Sequence, residues 1–498
     1  MLFPTTVFAV FFFLVFNMHW ALAGHPRARK GFLLAASLFF YGFWSWKFAL
    51  MLLGSALLNH VAAVRMAQPA GEGAGRSKRR VLILAVVFNL GLLGFFKYAG
   101  FLVADTLFPL LRPVCAAIGP DAVWGLVRVQ EEIYPWLSRI VLPVGISFFT
   151  FQALSYVVDV YRGRVAPARS WLDFANYLAF FPQLVAGPIV RAGNLVPQME
   201  DMPGRDTPLE AGRAVFLILT GLFKKMVVAN WLASRLADPV FAWPEIHSGP
   251  DILMAVYGYA LQIYCDFSAY SDIAIGTALL LGFHFPDNFN APYFATSLQD
   301  FWRRWHISLS TWLRDYLYIP MGGSRRGSRR TYANLFITFL LGGLWHGAAW
   351  TFLLWGAFHG LYLSVERKAR GWLGIPEREA LPARWPVALI GRIWIFHVVC
   401  FSWILFRGGN LETVVAILEG IAAWRTRVPE VHLWGAWPLA MVAAGFATQF
   451  LDGGRLWRTA RRLPAWPAWA VGAAAALVLT AILALGPEGV APFIYFQF

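Results

Sequence analysis

Charge is what this 498-residue chain has least of: Asp, Glu, Lys and Arg together make up 14% of it, against 58% hydrophobic residues. With a mean hydropathy of +0.56, that excludes an ordinary water-soluble globule and makes the bilayer the solvent. Cysteine is nearly absent. Cys115, Cys265 and Cys400 have no paired spacing, which speaks against a disulfide framework or a zinc cluster and leaves them as packing residues. No Lys or Arg precedes the first apolar run, so although Ala21-Leu22-Ala23 has the form of a cleavage site, the run reads as an uncleaved first span. There is no phosphate-binding glycine loop, no dinucleotide fingerprint and no Ser nucleophile in a strand-turn-helix elbow. No internal repeat is visible, which disfavours the inverted-repeat transporter folds.

What is present is a succession of apolar runs from Leu2 to Phe498 separated by short polar gaps. A membrane-crossing helix needs roughly 20 such residues, and the runs predict about eleven spans in one membrane domain covering 1–498. The formal charge of +15 does not point to nucleic acid, because the Lys and Arg residues sit in clusters between apolar runs. Arg27 to Lys30, Arg65 to Arg80, Arg162 to Arg169 and Arg303 to Arg330 should face the cytosol, and Asp105 to Glu132, with four acids, should face out. The run Gly31 to Val64 is too long for one span and begins and ends at basic loops. Two helices turning near Trp44-Ser45-Trp46 satisfy the charge rule. Phe174 to Ile189, interrupted by Pro182, Gly187 and Pro188, reads either as a broken or re-entrant helix forming a cavity wall or as a proline-kinked packing helix.

Chemistry concentrates in three places. In Phe301 to Gly323 the apolar residues 301, 305, 309, 312, 313 and 316 follow helical spacing, so a helix along the cytosolic interface is expected. On it Arg303, Ser310 and Arg314 share one stripe, with Arg304 beside them. The arginines either meet lipid headgroups or dock the phosphates of coenzyme A. His306 lies among Trp302, Trp305 and these arginines, a setting that keeps an imidazole neutral and available as a base. His346 stands in the apolar stretch GGLWHGAAW, where an ionisable group is costly and marks function by default, and its glycines would admit a substrate closely. His346 and His359 are thirteen residues apart, about 140° on one continuous helix, which argues against a shared metal. A third island, IYCDFSAYSDIAIG, buries Asp266 and Asp272. Those acids either pair with arginines to hold the bundle or line an acceptor pocket or proton path. Asn288 and Asn290 follow near the interface.

Over nearly its whole length the chain resembles the membrane-bound O-acyltransferase (MBOAT) superfamily, in particular the bacterial branch of alginate O-acetylation and teichoic acid D-alanylation membrane proteins. The resemblance rests on LPVGISFFTFQALSYVVDVYRG at 142–163, FFPQLVAGPIVR at 180–191, DFSAYSDIAIG at 266–276, the two histidine motifs and the ending PFIYFQF. It implies an all-α polytopic MBOAT fold in which tilted and re-entrant helices surround a thin floor, with a cytosolic funnel for the donor and an outer opening for the acceptor. It further implies His346 and His306 as catalytic residues, no permanently bound cofactor, and acetyl-CoA as donor. The same resemblance gives a bacterial inner-membrane location and a periplasmic acetyltransferase or carrier as partner in O-acetylating an exopolysaccharide such as alginate. On this reading His346 activates the acceptor hydroxyl and His306 orients or polarises the thioester, roles that can exchange. A lipid-linked-sugar flippase and a scaffold of an export complex are the alternatives, and both predict survival without the histidines.

Overall fold

The computed structural model describes residues 1–68, 74–185, 187–375, 385–424, 433–454, 468–486 and 493–494. Among the described residues the secondary structure is helical, without strands. The N-terminal part comprises α1 (Thr6–Ala21), α2 (Pro26–Gly42), α3 (Trp46–Ala67) and α4 (Ala74–Leu93). The chain turns between α2 and α3 at residues 43–45, as the charge rule required. Thr5 starts α1 by accepting a hydrogen bond from the Phe8 amide through its hydroxyl, a standard cap for an otherwise orphaned donor.

Beyond α4 the helix runs on through two π-turns, Gly94–Tyr98 and Phe101–Leu107, into α5 (Phe108–Ile118), and α6 (Pro120–Leu137) folds back along it. The acidic segment 105–132 is therefore a helical hairpin, closed by Phe108 on Tyr134 and Phe95 on Trp136. Phe101–Ile118 is itself long and apolar enough to cross a membrane. Next come α7 (Ile146–Tyr161), α8 (Trp171–Ala179), α9 (Phe181–Leu184) and α10 (Ala192–Glu200). The Pro-containing stretch is a broken helix. Phe180, with ψ 110°, leaves helical geometry between α8 and α9, and residues 174–184 are all buried in protein, the condition under which irregular backbone survives at membrane depth.

A long irregular helix follows, made of α11 (Ala211–Leu222), α12 (Asn230–Leu232) and α13 (Asp238–Ala242) joined by π-turns. It packs along α14 (Gly249–Leu280), the 32-residue helix at the centre of the molecule, in which all but four residues are buried. Then come α15 (Leu298–Arg304), α16 (Ile307–Leu313), α17 (Ser328–His346), α18 (Trp350–Trp372), α19 (Trp385–Arg407), α20 (Leu411–Ala422), α21 (Ala436–Ala447) and α22 (Ala468–Leu485). By length and composition, six helices among the described residues can cross a membrane and three shorter apolar ones accompany them. The expected eleven spans are thus not reproduced as a count. The central α14, which carries Asp266 and Asp272, is not among the six.

The basic loops gather at one end. Lys30 pairs with Asp173 at 2.5 Å, Arg169 with Asp201 at 2.6 Å and Arg191 with Asp315 at 2.7 Å, while Arg162 donates to the Asp315 carbonyl. Three of the four basic clusters therefore meet on one face, the arrangement the positive-inside rule expects of a cytosolic side. Trp44, Pro143 and His346 stand at the ends of α2, α7 and α17 remote from those loops, and large apolar side chains such as Phe13, Leu84 and Ile390 are exposed, as lipid-facing residues are.

Candidate active site

His306 is built in by a break. The expected continuous helix over 301–316 divides into α15 and α16, and His306 between them adopts φ 41° and ψ 56°, a left-handed conformation that costs a non-glycine residue energy and clusters at functional sites. The break also removes the stripe on which Arg303, Ser310 and Arg314 were expected. Of the six apolar positions, Phe301, Trp305, Leu309, Trp312 and Leu313 are buried as the spacing predicted and Tyr316 is half-buried.

Hydrogen bonds fix the His306 tautomer. The Ser308 backbone amide donates to Asn288 Oδ1 at 3.1 Å and the Ser308 hydroxyl donates to it at 2.8 Å. Asn288 Nδ2 donates to Ser271 Oγ at 3.0 Å, so the amide orientation is set from both sides. Asn288 Oδ1 is an acceptor, and it lies 3.2 Å from His306 Nδ1. That nitrogen must therefore carry the proton. His306 Nε2 is left with its lone pair, is fully buried, and has no hydrogen-bond partner among the described residues. A buried unpaired acceptor costs about 1–3 kcal/mol, and His359 Nε2 and Trp355 Nε1 nearby are likewise without a hydrogen bond among the described residues.

His346 is the last residue of α17. The glycines around it serve packing, contrary to the substrate access expected of them. A Cβ on Gly343 would lie 2.2 Å from the Phe352 carbonyl oxygen, and one on Gly347 would lie 2.0 Å from the Phe352 ring. These glycines let α17 and α18 touch. His346 packs edge-on against Trp345, Trp355 and Phe406, with ring centroids 5.0, 5.0 and 5.2 Å away. The His306 ring lies 6.0 Å from the same Trp345 indole, so one tryptophan touches both imidazoles.

A cavity of about 700 Å³ opens at the non-basic end and has His346, Trp345, Tyr41, Trp44, Lys97 and Phe148 in its wall. The expected cavity-wall motif contributes Val185. His306 lies behind Phe148 and Trp345, outside the cavity lining. The α2–α3 turn at 43–45 places Trp44 beside this opening, which is the outer side if the basic end is cytosolic.

His359 stands on α18, whereas His346 ends α17, so the expected single helix carrying both does not exist. The Trp355 ring lies 5.0 Å from His346 and 4.6 Å from His359, and His359 Nδ1 accepts from Trp302 Nε1 at 3.4 Å. The three arginines differ. Arg304 is held by Asp300 at 2.9 Å and Arg314 by Asp315 at 2.6 Å. Burial alone would raise the Asp315 carboxyl, but hydrogen bonds from Arg314 and Arg191 hold it below the usual range. Arg303 is exposed and makes no ion pair among the described residues.

Asp266 and Asp272 are paired, with lysines and not the expected arginines. Lys225 approaches Asp266 at 2.8 Å and Lys224 approaches Asp272 at 2.9 Å. The Ile494 amide, within the ending PFIYFQF, donates to Asp266 Oδ2 at 2.9 Å; the other residues of that motif lie outside the described residues, Phe493 excepted. Neither acid lines the cavity beside His346. Sequence reasoning passed over Lys224, Lys225 and Lys97, although each is a lysine inside an apolar run, the signal that had singled out His346.

A family model for the membrane-bound O-acyltransferase family matches residues 168–406, which include both histidines. The chain is 40% identical over 426 residues to a Pseudomonas aeruginosa protein named probable alginate O-acetylase, covering 86% of this chain and 76% of that one. A Pseudomonas putida protein of the same name is 36% identical over the full length of both. The peptidoglycan O-acetyltransferase of Helicobacter pylori is 36% identical over 84% of this chain and 80% of its own. With the helical membrane architecture and this degree of similarity, the chain belongs to the membrane-bound O-acyltransferase family and is an acyltransferase.

Proposed function

We propose that the chain takes an acetyl group from a cytosolic thioester, acetyl-CoA, and passes it to a hydroxyl on the outer side of a bacterial inner membrane, for O-acetylation of an exopolysaccharide such as alginate. The observation that carries this reading is the placement of His346 in the wall of the outer cavity while His306 lies one aromatic layer behind it, with a lone pair unspent at Nε2. An acceptor entering from outside meets His346 first. His346 removes the hydroxyl proton, the oxygen attacks the thioester carbonyl, the carbon–sulfur bond breaks and the sulfur leaves as a thiolate. That thiolate needs a proton from the opposite side of the site. His306, unprotonated at Nε2, can take up the proton that His346 removed and deliver it to the sulfur, which returns both imidazoles to their starting state.

At the cytosolic end Arg303, free of carboxylate partners, is the best placed of Arg303, Arg304 and Arg314 to hold donor phosphates. Asp266 and Asp272 act as bundle anchors on this reading, since both are neutralised by lysine. The outer hairpin of α5 and α6 is where a periplasmic acetyltransferase or carrier would meet the chain. The name of the P. aeruginosa relative supports alginate as acceptor, and that of the H. pylori relative supports a polysaccharide acceptor in general. The test is transfer of radiolabelled acetyl from acetyl-CoA to polysaccharide or protein in membranes carrying wild type, His306→Ala or His346→Ala at matched expression. Loss in both variants is expected. Wild-type transfer in both would overturn the reading in favour of transport or scaffolding.

A further inference from the structure

We propose that Lys97 is a positioning residue for His346, clamping the end of α17 and cancelling its charge where the reaction builds up negative charge. This rests on the reading of His346 as the group that meets the acceptor. Lys97 lies in the π-turn Gly94–Tyr98, a local irregularity that recurs at functional sites. Its ammonium donates to the Trp345 carbonyl, to the His346 carbonyl at 3.1 Å and to Ser147 Oγ at 3.3 Å. Each of its three hydrogens finds an oxygen, and among the described residues no carboxylate pairs with it. A lysine in an apolar bundle without a counter-ion is costly. What compensates it here is a helix end.

The last carbonyls of a helix have no partner within it and carry roughly half a negative charge between them. In α17 those carbonyls belong to residues 344–346, beside the imidazole that meets the acceptor. Attack on a thioester puts a further negative charge on the carbonyl oxygen, which this helix end would repel. Lys97 neutralises the end, fixes the backbone that aims His346, and lies 5.8 Å from the centroid of the Trp345 indole that touches both histidines. The adjacent Tyr98 provides an internal control. Its hydroxyl donates to the Leu344 carbonyl at 2.8 Å, capping the same helix end without a charge.

The experiment measures acetyl transfer from acetyl-CoA, per folded protein, with thermal unfolding in parallel, for full-length wild type, His346→Ala, Lys97→Met, Lys97→Gln, Lys97→Arg and Tyr98→Phe. A misaimed reacting group costs on the order of a hundredfold. Lys97→Met and Lys97→Gln are therefore expected to lower turnover about 10–100-fold at unchanged donor KM, with Lys97→Arg restoring most of it. Tyr98→Phe should lower the melting temperature but leave turnover within about twofold. Turnover in Lys97→Gln equal to that in Tyr98→Phe would overturn the proposal, and this comparison stands even if Lys97→Met does not fold. Wild-type transfer in His346→Ala would instead overturn the reading beneath it.

Discussion

Two polar islands sit inside this apolar bundle, and they are finished differently. Two acids in the middle of α14 have lysines, Lys224 on Asp272 and Lys225 on Asp266, with the Ile494 amide as a further donor to Asp266. In the histidine layer several ring nitrogens go without a hydrogen bond among the described residues, His306 Nε2, His359 Nε2 and Trp355 Nε1 among them. His306 is held at Nδ1 and left unpartnered at Nε2 among the described residues, although it is fully buried. Both islands are expensive to place in lipid. The first spends its charges on ion pairs, whereas the second holds neutral imidazoles beside an open cavity. If the paired acids anchor the bundle and the histidines react, substitutions in the two islands should fail in different ways.

The largest effect that separates the two islands is on chemistry. Replacing His346 or His306 by alanine should lower acetyl transfer about 10²–10⁴-fold, the range a positioned proton-transfer group supplies, while the protein remains folded. Transfer rates per folded protein, with size-exclusion profiles to check the fold, decide this. A His306→Ala variant with intact transfer would mean that the unpartnered Nε2 is a packing defect.

The anchor should fail in the opposite way. Lys225→Met leaves the Asp266 carboxylate uncompensated in the core, and removing one partner of a buried pair costs about 3–5 kcal/mol. The expected result is little folded protein in the membrane, with near-normal specific activity in what remains. Lys225→Met combined with Asp266→Leu removes both charges and should recover most of the lost stability in a double-mutant cycle. If the double variant folds but transfers no acetyl, Asp266 has a chemical role after all and the contrast between the islands collapses.

That contrast could not be read from the sequence, although its components could. His306 and His346 stood out as ionisable groups in apolar surroundings, and the basic clusters correctly grouped three loops at one end. The turn at 43–45 and the interruption near Phe180 were legible because tryptophans, proline and glycine mark them locally. Pairings across the bundle were not. Lys224 lies 48 residues from Asp272, and Asn288 lies 18 from His306, and nothing in the spacing of either pair requires contact. The break at His306 was hidden for another reason. The apolar residues on both sides keep helical period through it, so periodicity reported one helix where an extended Trp305 and a left-handed His306 make two.

A smaller effect tests whether His306 owes its role to Asn288. Asn288→Ala removes the acceptor that keeps the proton on Nδ1 and loosens Ser308, while both histidines remain. Turnover should fall about 10–100-fold, the cost of a misplaced reacting group, with donor KM little changed. The tautomer gives a direct readout. In ¹⁵N spectra of labelled protein His306 should report an Nδ1-protonated ring in wild type and a mixture in the variant. An Nε2-protonated wild-type ring would contradict the hydrogen-bond assignment itself.

The smallest expected effect belongs to Arg303, and it separates donor docking from lipid anchoring. An exposed arginine near charged headgroups or phosphates is worth on the order of 1 kcal/mol, so Arg303→Ala should raise the KM for acetyl-CoA about fivefold and leave turnover unchanged. The same substitution should leave the KM for a pantetheine thioester, which lacks the nucleotide phosphates, where it was. Equal changes for both donors would assign Arg303 to the headgroups, because a residue that only sets the depth of α15 in the interface cannot distinguish two thioesters by phosphates it does not touch. Arg304 and Arg314, already engaged by Asp300 and Asp315, should shift the acetyl-CoA KM less than Arg303 does. If either exceeds it, the free guanidinium is not the one the donor uses.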